Sequence, residues 1–310
     1  MMSRVLLSAA SKRLLFTTRL RIRTFSSISS YHCSQTNFRI TDEMKATFSF
    51  NGYVILRHVL TLEEMVKLKE AIEQNGTLKS NSYYVGDGME GRGSRLSIWC
   101  NPGHDITGIV ARSEKIAGTM EQLLGGEVYH YHSKLIMKEA LTGGSFVWHQ
   151  DYGYWYQNGC LFPDMGTAFI AIDRCDEDNG CLQVLRGSNR LGRIEHGRVG
   201  GQTGADANRV NEILKHLPVD HVVLDPGDVL YFHCNLLHKS NRNESQRRRW
   251  ALLSAYNRAS NDPFIRHPWP TYTPLNKVPN SAILQCTNYT DMTGKGFVEP
   301  AMDKTVEGKR

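Results

Sequence analysis

Apolar residues recur along the chain at two different spacings, and the spacings separate helices from strands. Thr41 and Asp42 open a capped helical stretch that runs to Phe48. Gly52-Tyr53-Val54-Ile55-Leu56 then reads as a short strand. Thr61-Leu62-Glu63-Glu64 places a threonine three residues before a glutamate, a capping box. Met65, Leu68 and Ile72 continue at helical spacing, and Gln74-Asn75-Gly76 ends that helix.

From Val128 the pattern changes. Val128–Met137 alternates aromatic, histidine and aliphatic residues. Residues 167–172, 181–185, 222–224, 229–233 and 250–256 are short β-rich runs separated by Gly, Pro, Asn and Asp. Asn179-Gly180 and Pro226-Gly227-Asp228 are turn signals, because Asn and Gly tolerate positive φ and Pro presets its own. Short strands without βαβ spacing predict an all-β core with helical additions, a sandwich or jelly roll rather than a doubly wound sheet. Residues 40–300 are expected to form a single domain.

Composition changes the picture only at the N-terminus. The chain has 37 basic and 31 acidic residues, a formal charge of +6. Seven of the bases (Arg4, Lys12, Arg13, Arg19, Arg21, Arg23 and Arg39) precede the first acid, Asp42, leaving 30 against 31 beyond it. The remainder is near neutral and lacks the clustered positive charge that nucleic-acid binding demands. Residues 1–30 hold six bases, many Ser and Thr and no acid, the composition of a mitochondrial transit peptide, which predicts the matrix as the location. Arg13-Leu14 begins an N-terminal peroxisomal signal, but Leu20 stands where His or Gln is required; cytoplasm and peroxisome are the alternatives. No run reaches the roughly 18 apolar residues of a membrane span. Seven cysteines without a CxxC pair read as reduced thiols. Nothing in the pattern speaks to oligomeric state.

Gly86-Asp87-Gly88-Met89-Glu90-Gly91 matches GxGxxG literally. A dinucleotide site needs a helix after it, and Arg92-Gly93-Ser94-Arg95 carries no helical pattern, so a flexible glycine-rich loop is expected.

The chemistry concentrates in Trp148-His149-Gln150-Asp151. In a strand, residues i and i+2 share a face, so His149 and Asp151 can aim an imidazole and a carboxylate at one metal. Pro226-Gly227-Asp228 feeds an apolar strand that continues to His238-Lys239-Ser240, and Arg249 follows eleven residues after His238. Two histidines and one carboxylate on one face of an iron leave positions open for O2 and a chelating cosubstrate. A nearby arginine suits that cosubstrate's carboxylate, since its planar fork grips two oxygens, and Ser240 can add a hydroxyl.

On these residues the chain resembles the phytanoyl-CoA dioxygenase family, which includes ectoine hydroxylase and some free-proline hydroxylases. The resemblance spans roughly Gly52 to Asp262. It rests on the His149-Gln150-Asp151 segment, Asp178-Asn179-Gly180-Cys181-Leu182, Arg186-Gly187-Ser188-Asn189, Pro226-Gly227-Asp228 and His238-Lys239-Ser240 with Arg249. It implies a double-stranded β-helix, a cupin-like jelly roll whose mouth holds Fe(II). By resemblance His149, Asp151 and His238 are the metal ligands and Arg249 and Ser240 the 2-oxoglutarate anchors. The implied reaction spends O2 and 2-oxoglutarate, releases succinate and CO2, and hydroxylates an aliphatic C–H of a small molecule. In related halogenases a small residue replaces the carboxylate, so Asp151 favours hydroxylation. Two positions depart from the family: Arg186-Gly187-Ser188-Asn189 where Pro-Gly-Ser-His is usual, and His132 where ectoine hydroxylase has glutamine.

Lys134 and His132 are expected to point into the cavity and contact cosubstrate or substrate, with ordinary strand packing as the alternative. Tyr152, Tyr154 and Trp155 are candidates for the substrate wall, with core packing as the alternative. His233 is expected to be a buried histidine bonded to backbone, and Arg247 and Arg248 to be solvated. Two other readings stay open: a non-oxidative cupin-like metalloenzyme, and a catalytically redundant binding protein of the same fold. Family substrates span acyl-CoA, free amino acids and small zwitterions, and the near-neutral charge tilts towards a small polar molecule.

Overall fold

The computed structural model describes residues 29–32, 38–265 and 268–299. All but the last two residues of the predicted leader, and Cys33, lie outside the described residues. The other six cysteines are unpaired thiols, as expected for a reduced protein. No described helix is long and apolar enough to cross a membrane.

Fourteen described strands follow in chain order. They are β1 (Ser30–His32), β2 (Tyr53–Arg57), β3 (Tyr83–Gly86), β4 (Gly93–Trp99), β5 (Val128–Lys138), β6 (Phe146–His149) and β7 (Met165–Ala171). Then come β8 (Leu182–Leu185), β9 (His196–Val199), β10 (Gln202–Ala205), β11 (Val219–Val222), β12 (Val229–His233), β13 (His238–Ser240) and β14 (Arg249–Arg258). An eight-stranded sheet runs β1-β2-β12-β7-β14-β5-β4-β3 and a four-stranded sheet β11-β8-β13-β6, with β9 and β10 as a separate hairpin. Apart from β1 beside β2, every pairing is antiparallel. The two sheets face each other as a jelly roll, the fold expected.

The large sheet is buried on both faces, which explains its unbroken apolar runs. Along β2, Val54 and Leu56 pack outward with Phe48, Leu68, Ile72 and Met120. Tyr53 and Ile55 pack inward with Val184 and Leu236 of the small-sheet side. β12 divides the same way, with Val229 and Tyr231 outward and Leu230 and Phe232 inward. Each such Leu- or Phe-sized side chain contributes roughly 1.5–3 kcal/mol on burial.

The helices on the outer face begin where capping predicts. In α1 (Asp42–Asn51) the Thr41 hydroxyl accepts from Met44 N at 3.2 Å, and Gly52 at φ 83° ends the helix. In α2 (Leu62–Gln74) the box is reciprocal: Glu64 N donates to Thr61 Oγ1 at 3.2 Å and Thr61 N to Glu64 Oε2 at 2.8 Å. The strand expected at residues 222–224 lies instead at Val219–Val222, because its register is set by pairing with β8. The GxGxxG segment is not a free loop. It is the turn between β3 and β4, and Asp87 anchors it by accepting from Arg242 Nε at 2.6 Å and from Ser145 N at 3.0 Å.

Candidate functional site

β6 and β13 are neighbours in the small sheet, and their register sets His149 opposite His238. Ser240 falls opposite Phe146, so β6 carries one extra residue between these pairs. That bulge explains why Phe146 and His149, three positions apart, both line one cavity, as His238 and Ser240 do from the partner strand. The cavity lies between the sheets and measures about 660 Å³ with the space at its open mouth.

β6 ends at His149, and the chain bends into a short helical turn, α3 (Tyr152–Trp155). Asp151 therefore sits in helical backbone at φ −57° and ψ −37°, not on the strand that would place it two residues along from His149. The carboxylate still reaches the cavity. One ligand atom each from His149, Asp151 and His238 lies within 4.8 Å of the others, and the imidazole centroids are 4.1 Å apart.

Each group is prepared for a cation. His149 Nδ1 contacts Val147 O at 2.8 Å and His238 Nδ1 contacts Leu236 O at 3.0 Å. A carbonyl there requires Nδ1–H, which leaves both Nε2 lone pairs free to coordinate. Burial, and then the second imidazole, hold the His149 pKa well below the usual histidine range, so the ring is neutral. Thr167 Oγ1 donates to Asp151 Oδ2 at 3.0 Å, directing the other oxygen at the ion. Gln150, between the two ligands, pins the bend. Its backbone N donates to His196 Nε2 at 2.9 Å, and its side chain bonds Gly192 O, Asn235 O and Ile194 N. Two imidazoles with Nε2 free and one oriented carboxylate fit a divalent iron with open positions.

The same cavity holds a second feature. Arg249 is 1% exposed, and its Nε and Nη1 have no hydrogen-bond partner among the described residues. Lys138, fully buried, lies directly opposite Arg249 on the adjacent strand. Lys138 Nζ donates to Ser240 Oγ at 3.0 Å and to Asn241 O. Burial, and then Arg249, push its pKa well down. Two cationic side chains facing each other without a carboxylate are unfavourable unless an anion completes them. Orphaned donors on Arg249 beside the Ser240 hydroxyl fit a carboxylate.

Packing corrects part of the expected site. Lys134 lines the cavity, but Lys138, which sequence reasoning missed, is the lysine beside Arg249. His132 is not among the residues lining the cavity and packs its ring against Trp155 and Trp269, at 5.7 and 5.4 Å. Of the aromatic trio only Tyr154 lines the cavity, its ring 5.8 Å from His149. Successive residues of a helical turn point about 100° apart. Trp155 thus meets Tyr131, and the Tyr152 hydroxyl donates to Cys160 O and Leu161 O in the core. His233 accepts from Asn235 N at 3.0 Å, away from the metal ligands. Arg247 and Arg248 are not simply solvated, since they pair with Asp176 and Asp173.

The match to known proteins agrees with this geometry. Over 242 residues the chain is 29% identical to an L-proline trans-4-hydroxylase of Streptomyces griseoviridis, covering 73% of this chain and 89% of that one. It is 24% identical over 253 residues to an ectoine dioxygenase of Stutzerimonas stutzeri, covering 74% and 81%. The crystal structure of EctD from S. alaskensis with 2-oxoglutarate and 5-hydroxyectoine shares the fold. Its TM-score is 0.64 at 21% identity, over 78% of this chain and 88% of that one. The family model for phytanoyl-CoA dioxygenase matches residues 48–251, most of the chain, and the chain belongs to that family.

Proposed function

We propose that this chain is an Fe(II)- and 2-oxoglutarate-dependent dioxygenase that hydroxylates an aliphatic C–H of a small polar molecule. One observation carries the reading: a His149–Asp151–His238 cluster able to hold a metal shares a cavity with a buried guanidinium whose Nε and Nη1 have no partner among the described residues. Relatives that hydroxylate L-proline or act on ectoine support it. Iron(II) bound there, with 2-oxoglutarate and O2, supplies oxidative decarboxylation to succinate and CO2 coupled to hydroxylation of the substrate.

The protein's own part is positioning. Val147 O and Leu236 O hold the two imidazoles in the coordinating tautomer. Thr167 orients Asp151. Arg249, with Ser240 and Lys138, receives the far carboxylate of 2-oxoglutarate and so fixes which way the cosubstrate lies. Leu96, Ile136, Phe169, Phe232 and Leu253 keep much of the wall apolar, restricting water near the reacting centre.

Succinate release with iron and 2-oxoglutarate tests this. His149→Ala and Asp151→Ala are expected to abolish it, and retained turnover in either rules out the ligation. A non-oxidative metalloenzyme of this fold has no use for the guanidinium, so a metal-dependent activity without succinate release that survives Arg249→Ala favours that alternative. Absence of 2-oxoglutarate binding by calorimetry favours a binding protein.

A further inference from the structure

The cavity holds more positive charge than its metal and cosubstrate consume. β5 pairs residue by residue with β14 over its C-terminal half, Lys138 opposite Arg249 and Lys134 opposite Leu253. Lys134, Ile136 and Lys138 lie two residues apart and share the face turned to the cavity. Four residues of strand separate the two lysines by about 13 Å, so they serve different parts of the space. Lys138 is spoken for by Ser240 and Asn241. Lys134 is half-buried, lines the cavity, and makes no hydrogen bond or ion pair with any described residue. His149, Asp151 and His238 line that same cavity.

Formal charges sharpen the point. An iron dication, the Asp151 carboxylate and a 2-oxoglutarate dianion sum to one negative charge. Arg249 cancels it, and Lys138 is already engaged by Ser240 and Asn241. Lys134 is left over. Other polar groups of the wall are engaged: Thr203 O accepts from the Tyr154 hydroxyl, Gln202 bonds Val147 N, Gly86 O and Ser145 O, and the Lys239 ammonium lies 5.4 Å over the Trp148 ring. A half-buried ammonium without a partner beside a reaction centre is answered most simply by an anionic group on the incoming molecule.

Resting on the dioxygenase reading above, we infer that the substrate is a small carboxylic acid whose carboxylate is received by Lys134, making Lys134 the specificity-determining residue. Leu96, Ile136, Phe146 and Tyr154 offer a mainly apolar wall for the body of such an acid. A carboxylate held there tethers one end of the substrate while an aliphatic carbon is presented to the metal face.

Anaerobic calorimetry on the holoenzyme, loaded with iron(II) and saturating 2-oxoglutarate, tests the assignment with matched probes. L-Proline is set against L-prolinamide, and the other free amino acids and short carboxylic acids against their primary amides. At least one acid is expected to bind the wild type roughly tenfold to a hundredfold more tightly than its amide, the size of a lost charge-assisted hydrogen bond. Lys134→Gln is expected to erase that preference and Lys134→Arg to restore most of it, with 2-oxoglutarate affinity moving less than about twofold in both. Equal binding of acid and amide, no binding of any acid, or a Lys134→Gln loss that falls as heavily on 2-oxoglutarate overturns the inference. None of these touches the dioxygenase reading, which fails separately if the wild type binds no 2-oxoglutarate and releases no succinate.

Discussion

Arg249 brings a positive charge to a position 1% exposed, where its Nε and Nη1 have no partner among the described residues. Burying an unpaired charge costs stability, and a bound carboxylate recovers it. Arg249→Met is therefore expected to weaken 2-oxoglutarate binding by about 2–4 kcal/mol, roughly thirtyfold to a thousandfold. The same change is expected to raise the melting temperature of the ligand-free protein. A variant that loses both affinity and thermal stability would show that Arg249 is structural. Residues of this kind were legible in the sequence where chemistry is local: His149-Gln150-Asp151, His238 and Arg249 stand in short, specific contexts. Lys138 was not, because Lys134 and Lys138 share a strand face. Only their partners on β14, Leu253 and Arg249, tell them apart, and that is a long-range fact.

Among elements, those with their own punctuation were readable and those placed by partners were not. Thr61 and Glu64 announce α2, and the apolar runs of β2 and β12 announce strands buried on both faces. β3 and β9, four residues each and partly exposed, escape notice, and so do β4 and β10, which are placed by pairing with them. The Asp87 turn has a pH signature. Burial works to raise the Asp87 pKa, but hydrogen bonds from Arg242, Ser145 and Met89 together with the Arg242 charge leave it below 3.8. A carboxyl depressed in the folded state stabilises above its unfolded pKa, and the contribution fades as pH falls through the lowered value. Asp87→Asn should cost about 1–2 kcal/mol near neutrality, with the gap from wild type narrowing below about pH 4; a constant gap in denaturant titrations across pH contradicts this. The bend after β6 depends on another neighbour. A Cβ on Gly153 would meet the His196 ring 2.3–2.5 Å away, and His196 holds Gln150 N. Gly153→Ala is expected to lower metal affinity by about tenfold or more without altering a ligand, measured by competition with a chelator.

For the whole molecule, the legible quantities were the class of fold and the asymmetry of charge. Two facing sheets follow from many short strands, whereas their order is a matter of pairing. Charge asymmetry yields a separate expectation. Residues 1–30, with six bases and no acid, should carry a fused fluorescent protein into mitochondria. A diffuse or peroxisomal signal in imaging refutes it.

The rung that joins His149 to His238 has one more consequence. Side chains alternate across a sheet, so sliding β6 past β13 by a single residue would turn one imidazole to the opposite face. Half a site has no foothold for iron, and a misaligned chain is thus screened out at the moment of loading. Metal uptake by freshly refolded protein becomes a gauge of how much of it has zipped correctly.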